Sequence, residues 1–154
     1  MTVSRETSLP DLLSRIASNL NVDKSAFNAN PTLSGLTPSA AGFILLSINS
    51  VYNAPILVVL DNNVLVEKIY RISYNLLPDK TALFPESLKS DIDIPGFNLE
   101  NERYRSESIN FFRKNKSCLI FTSSVAAHEP AIDKIIEEEL SFILKVDETP
   151  DRQA

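Results

Sequence analysis

Five aliphatic residues in a row, Ile56-Leu57-Val58-Val59-Leu60, constrain this chain more than any other stretch. A run without polar alternation reads as a central strand covered on both faces, the arrangement of parallel sheets sandwiched by helices. The helices are legible on either side of it. Downstream, Leu65, Ile69, Ile72 and Leu76 recur at heptad spacing until Pro78 ends the pattern. Upstream, Ala40, Ala41, Phe43, Ile44, Leu45, Leu46, Ile48 and Val51 are apolar nearly all round, as in a helix buried against a sheet, and Asn53-Ala54-Pro55 closes it.

The alternation extends along the chain. Leu9, Leu12, Leu13, Ile16, Ala17 and Leu20 predict an amphipathic helix over 9–20, with Ser8 and Asp11 suited to its start, before Asn28-Ala29-Asn30-Pro31 breaks the chain. Pro31 to Ser34 reads as a short strand, Thr81 to Phe84 as another, and 87–99 as a polar loop turning at Pro95-Gly96. Residues 100–113 predict a charged helix with Tyr104, Ile109 and Phe112 inward and an Arg103–Glu107 pair outward. A buried strand from Cys118 to Phe121, a helix from Ala131 to Glu139 and a last strand from Leu140 to Val146 complete the pattern. Such alternation predicts an α/β fold with a mostly parallel sheet sandwiched by helices, as one domain over 1–148, followed by a polar tail or linker at 149–154. Gly35, Asp61 and Thr122 would then lie near the carboxyl ends of strands, where open α/β sheets bind ligands.

Composition narrows the function classes. There is no run of about 18 apolar residues, and Met1 to Pro10 lacks a basic-then-apolar leader, so the chain reads as cytoplasmic with no membrane partner. The single cysteine, Cys118, gives no disulfide framework and no zinc spacing, and it reads as a small buried strand residue; no metal or cofactor is expected. The net charge of −5 argues against direct nucleic-acid binding. One basic stretch stands out: Arg103, Arg105, Arg113, Lys114 and Lys116 face only Glu107. It reads either as a solvated helix face or as a docking contact, with Glu102 at its start.

Gly35-Leu36-Thr37-Pro38-Ser39-Ala40-Ala41-Gly42 has the length and setting of a phosphate-binding loop between a strand and a helix. Its chemistry differs. Where G-x-x-x-x-G-K-S/T places a second Gly, a Lys for the phosphates and a hydroxyl for Mg²⁺, this chain has Ala40, Ala41 and Gly42. The segment is therefore either a degenerate phosphate loop, with Gly35 and Ser39 among its remnants, or an ordinary strand-to-helix turn. Neither binds a nucleoside triphosphate tightly. An enzyme would have to rely on Ser39, Thr122, Ser123 or His128; the single His precedes Glu129-Pro130 at an expected helix start, where an exposed or capping role competes with that of a general base.

The order of landmarks resembles the N-terminal, UvrB-like domain of bacterial transcription-repair coupling factors (the Mfd family). Gly35-Leu36-Thr37-Pro38-Ser39-Ala40-Ala41 matches the family's Gly-Leu-x-Gly-Ser-Ala-Ala loop, and Ala54-Pro55-Ile56-Leu57-Val58-Val59 its Gly-Pro-Val-Leu-Val-Val strand. Phe84-Pro85-Glu86, Glu102-Arg103, Leu119 to Val125 and Phe142 to Glu148 follow in order, over residues 33–148. Pro38 and Asp147 replace family glycines, and residues 87–95 replace a Trp-Glu-x-Leu-Pro-Tyr stretch. The resemblance implies a helicase-like, P-loop-related fold without catalysis, acting as a scaffold in transcription-coupled nucleotide excision repair. It implies a fragment as well: the UvrA-contacting, RNA-polymerase-binding and DNA-translocating ATPase domains of that family lie beyond these residues. An independent adaptor of the same fold, and a small nucleotide-binding enzyme, are the alternative readings.

Overall fold

The computed structural model describes residues 8–20, 32, 34–87 and 99–131. Half of the expected Pro31 to Ser34 strand, the polar loop with Pro95-Gly96, the helix expected over 131–139 apart from Ala131, the strand expected at 140–146 and the tail lie outside the described residues.

Local chemistry sets each helix start. In α1 (Leu9–Asn19) the Ser8 hydroxyl caps the first turn by accepting from the Asp11 amide at 3.4 Å. In α2 (Pro38–Tyr52) Thr37 does the same for Ala40 at 3.3 Å, Pro38 occupies the first turn, and Asn53 ends the helix in the left-handed region at φ 48°. Strand β1 (Ile56–Leu60) leads to α3 (Asn63–Leu76), where Asn62 Oδ1 accepts from the Leu65 amide at 2.9 Å. A 3₁₀ turn over Pro78–Lys80 leads to β2 (Thr81–Phe84), then α4 (Leu99–Lys114), β3 (Leu119–Ser123) and the single turn α5 (Ser124–Ala127).

The three strands are parallel in the order β1-β3-β2, with Ile56 and Thr81 both in register with Leu119, and Val58 and Leu83 both in register with Phe121. Strand alternation then sorts the side chains. One face carries Val58, Leu119 and Phe121, which form the core with Leu13 of α1, Leu46 of α2, and Val66 and Ile69 of α3. The opposite face carries Leu57, Ile120 and Ala82 in one row and Val59, Thr122 and Phe84 in the next. Helix α4 runs along β2 on that side, its Arg105 guanidinium 4.1 Å from the Phe84 ring centroid. Asn49 ties the amino ends together: its side-chain amide donates to Ala54 O at 2.9 Å and Cys118 O at 3.3 Å, and its oxygen accepts from Ser117 Oγ at 3.2 Å.

Among the described strands β3 is central and β1 is an edge, and the further strand expected over 140–146 lies outside the described residues. Leu57 is 60% and Val59 47% exposed, although neither the composition nor the alternation of β1 provides for a solvated face. No helix among the described residues is long and apolar enough to cross a membrane.

Candidate functional site

Ligands of open parallel sheets sit outside the carboxyl ends of the strands. Here that edge is formed by Asp61 and Asn62 after β1, Pro85, Glu86 and Ser87 after β2, and Ser123 at the end of β3. The Gly35 segment does not join it. Residues 32 and 34 belong to no strand, and the helix starts at Pro38, so positions 38–42 of the eight-residue segment are already helical. The Ala40 amide is bonded to Thr37 Oγ1, and the Ala41 amide to Thr37 O at 2.9 Å. Gly35 adopts φ +72° with open space where a Cβ would stand, as in a simple turn. Gly42, at the metal-ligand position, is buried against the last turn of α3; a Cβ there would lie 3.1 Å from Ile72 Cγ2 and 3.2 Å from Ser73 Oγ. That turn precedes β2, at the amino end of the sheet.

The carboxyl edge is organised by Arg105. Its side chain is 5% exposed, and its Nη1 donates to Pro85 O and to Glu129 Oε2, both at 2.8 Å, while Nη2 donates to Pro130 O at 2.9 Å. Glu102 approaches the same guanidinium at 3.7 Å and accepts from Ser87 Oγ at 2.6 Å; Glu129 accepts from the Ser87 amide at 2.7 Å. Beside this node Ser123 Oγ donates to Glu86 Oε1 at 2.6 Å and accepts from the Ala126 amide at 3.1 Å, capping α5. The result is a network of charge-assisted bonds linking β2, α4, β3 and the chain beyond α5.

Between α3 and α4, over the end of β2, lies an open cleft of about 550 Å³ lined by Glu67, Tyr70, Arg71, Glu86, Glu100 and Tyr104 among others. Glu67 and Arg71, one turn apart on α3, pair along its rim at 3.3 Å. Burial raises the Tyr70 hydroxyl above its ordinary pKa, reinforced by Tyr74, Tyr104 and Glu107, so at neutral pH it is a hydrogen-bond donor. Three carboxylates against one guanidinium suit a cationic or amide-bearing partner and not a phosphate. Among the described residues no group of three or more His, Cys, Asp or Glu is arranged to hold a metal ion.

The chain was compared with models of protein families, with curated proteins and with solved structures. No match was found in any of the three. The chemistry of the site rests on its own geometry.

The expected site residues separate on inspection. Ser39 lies exposed on the first turn of α2. Thr122 is buried on the sheet, and Ser123, 1% exposed, is held between a carboxylate and a backbone amide, where no substrate reaches it. His128 is the residue that ends α5 and is exposed, with Nδ1 2.6 Å from Ser124 O, and the helix expected after it lies outside the described residues. Arg103 is exposed, paired with Glu107 at 3.5 Å and lying over the Tyr104 ring, and Arg113 is exposed at the far end of α4. Arg105 is removed from any solvated or docking face by its burial. A helical projection carries the signal: at about 100° per residue, position 105 falls inside the arc spanned by Tyr104, Ser108, Ile109 and Phe112. Linear charge counting hides this. Glu86 and Glu129 went unread because their partners are 37 and 24 residues away.

Proposed function

We propose that this chain is a non-catalytic interaction domain of the UvrB-like, helicase-related kind found at the start of transcription-repair coupling factors, working in nucleotide excision repair in the cytoplasm. The observation that carries the non-catalytic part is the first turn of α2. The amides and the residue positions that would cradle phosphates and Mg²⁺ are occupied by helix bonds and by the contact of Gly42 with Ile72 and Ser73. The hydroxyl of Ser123 is held internally as well, between Glu86 and the Ala126 amide. In this reading the partners are neighbouring domains of a longer polypeptide, contacted through the exposed Arg103 and Arg113 of α4; UvrA, RNA polymerase and DNA are engaged by those other domains. No cofactor takes part.

Restoring the motif tests the reading. The double variant Ala41→Lys, Gly42→Ser supplies both missing groups, yet Ala41 packs against the core and a Cβ at 42 meets α3. The expected result is lower stability and no hydrolysis of Mg-ATP above the wild-type level, since a water-orienting group and a metal-holding acid are still needed. Turnover of Mg-ATP by the variant would overturn the reading.

A further inference from the structure

Strand β2 is the other edge of the described sheet, and the register shows where its backbone groups turn. The Ile56 amide donates to Cys118 O at 2.8 Å, so Cys118, Ile120 and Thr122 turn their backbone groups toward β1, and Leu119 and Phe121 turn theirs toward β2. In a parallel pair such a residue bonds to the two neighbours of its register partner. Phe121 lies opposite Leu83 and therefore engages Ala82 and Phe84. The amide and carbonyl of Leu83 then face away from β3, as does the carbonyl of Thr81, whose amide donates to Pro78 O. Among the described residues no further backbone group bonds to Leu83 from that side.

This edge forms the floor of a trench. The acidic cleft over the end of β2 and a second hollow of about 230 Å³ over its start share Tyr70, Leu83 and Tyr104, so together they follow the strand from Thr81 to Pro85. Because α3 lies on the core face of the sheet and α4 on the other, a space walled by both lies outside β2. Its two ends differ. Tyr74, Pro78 and Phe111 make the start of the trench apolar, whereas Glu67, Glu86 and Glu100 make its end acidic, with Arg71 as the cation among the described lining residues. Glu67 is already paired with Arg71, one oxygen of Glu86 is used by Ser123, and Glu100 is exposed in the first turn of α4.

We propose that the trench binds an extended, basic segment of a partner protein, which adds to β2 as a further strand and sets lysine or arginine side chains against the carboxylates. Three features favour this occupant. An outward-facing strand edge is a template for an extended chain, and main-chain pairing of this kind is a recurrent mode of peptide capture. The shape is that of a strand: at about 3.3 Å per residue, the floor from Thr81 to Pro85 is matched by a segment of about five residues. The charge selects the sign, because an acidic segment would meet Glu67, Glu86 and Glu100, whereas the stems of basic side chains can lie on the Tyr70 and Tyr104 rings with their charges among those carboxylates. Alternate residues of a strand fall on one side, so the matching pattern is an apolar residue beside Pro78 and Phe111 and a basic one two or four positions away. This surface is separate from the exposed Arg103 and Arg113 of α4, and its use does not require the chain to be UvrB-like.

NMR titration of the full chain with blocked peptides tests the proposal. The probe is Leu-Thr-Val-Thr-Lys-Thr-Lys and its reversed sequence, since a strand can add in either direction; its controls carry Glu for Lys, or methyl groups on alternate backbone amides in one register or the other. One direction of the probe should shift the Leu83 amide and slow its exchange at least about 10-fold. The Glu peptide should bind at least about 10-fold more weakly, and the exposed double variant Glu67→Lys, Glu100→Lys should weaken the Lys peptide by a similar factor. Methylation in one register should abolish binding and in the other preserve it, because only one edge of the added strand meets β2. Equal binding of the Lys and Glu peptides, or no change at Leu83 with millimolar probe, would overturn the proposal. A Leu83 amide already protected in the peptide-free chain would also overturn it, since the edge would then be taken by the chain itself or, where protection fades on dilution, by a second copy.

Discussion

At the scale of single residues, Arg105 and Arg103 stand two positions apart on one helix and differ in almost every physical respect. Arg105 is desolvated and has three acceptors within 2.9 Å, and Glu129, 12% exposed, depends on it for compensation. Arg105→Met keeps most of the volume but leaves that carboxylate without its cation, a change that costs about 3–5 kcal/mol. Arg103→Ala removes an exposed i,i+4 pair and costs under about 1 kcal/mol. Urea denaturation of the two variants checks this, and equal midpoints would contradict the burial argument. Cys118 is the other informative residue. Burial raises its thiol pKa, with Lys80 opposing in part, so the neutral form is favoured in the fold. Its contribution to stability is complete below the ordinary thiol pKa of about 8.5 and is lost as the pH rises through that value toward the folded one. A disulfide reagent should therefore label Cys118 slowly in native protein and at once in denaturant, and unfolding midpoints should fall in the alkaline range. Labelling at the rate of a free surface thiol would contradict this.

At the scale of elements, the pattern was most legible where one property dominated. Ile56–Leu60 and Thr81–Phe84 are strands at the bounds the sequence predicts, because aliphatic and β-branched residues there are flanked by Pro, Asp and Lys. Strand β3 runs on through Thr122 and Ser123, two residues past the strand expected from Cys118 to Phe121; they are buried because one lies on the sheet and the other caps α5. The Gly35 segment is where pattern and structure part. Its length fits a phosphate loop, but Thr37 followed by Pro38 is also a capping residue followed by the residue best suited to a first helical turn, and this local chemistry decides the conformation. The candidate site was mostly illegible for a different reason. Its cleft and its Arg105 network assemble groups from α3, β2, α4, β3 and the residues after α5, and no linear spacing encodes those distances.

At the scale of the molecule, the described residues form an α/β fold whose three-stranded parallel sheet carries a well-packed face, an apolar groove on the opposite face and an acidic cleft at the carboxyl edge. Among the described residues that edge is tied by the ion pairs of Arg105, whereas the helix that Thr37 caps packs its Gly42 against the last turn of α3. The central claim is that the segment from Gly35 to Gly42 is a capped helix start and not a nucleotide site. Calorimetric titration of the wild-type chain with Mg-ATP tests it most directly: no saturable heat is predicted at millimolar nucleotide, and a micromolar dissociation constant would contradict the account.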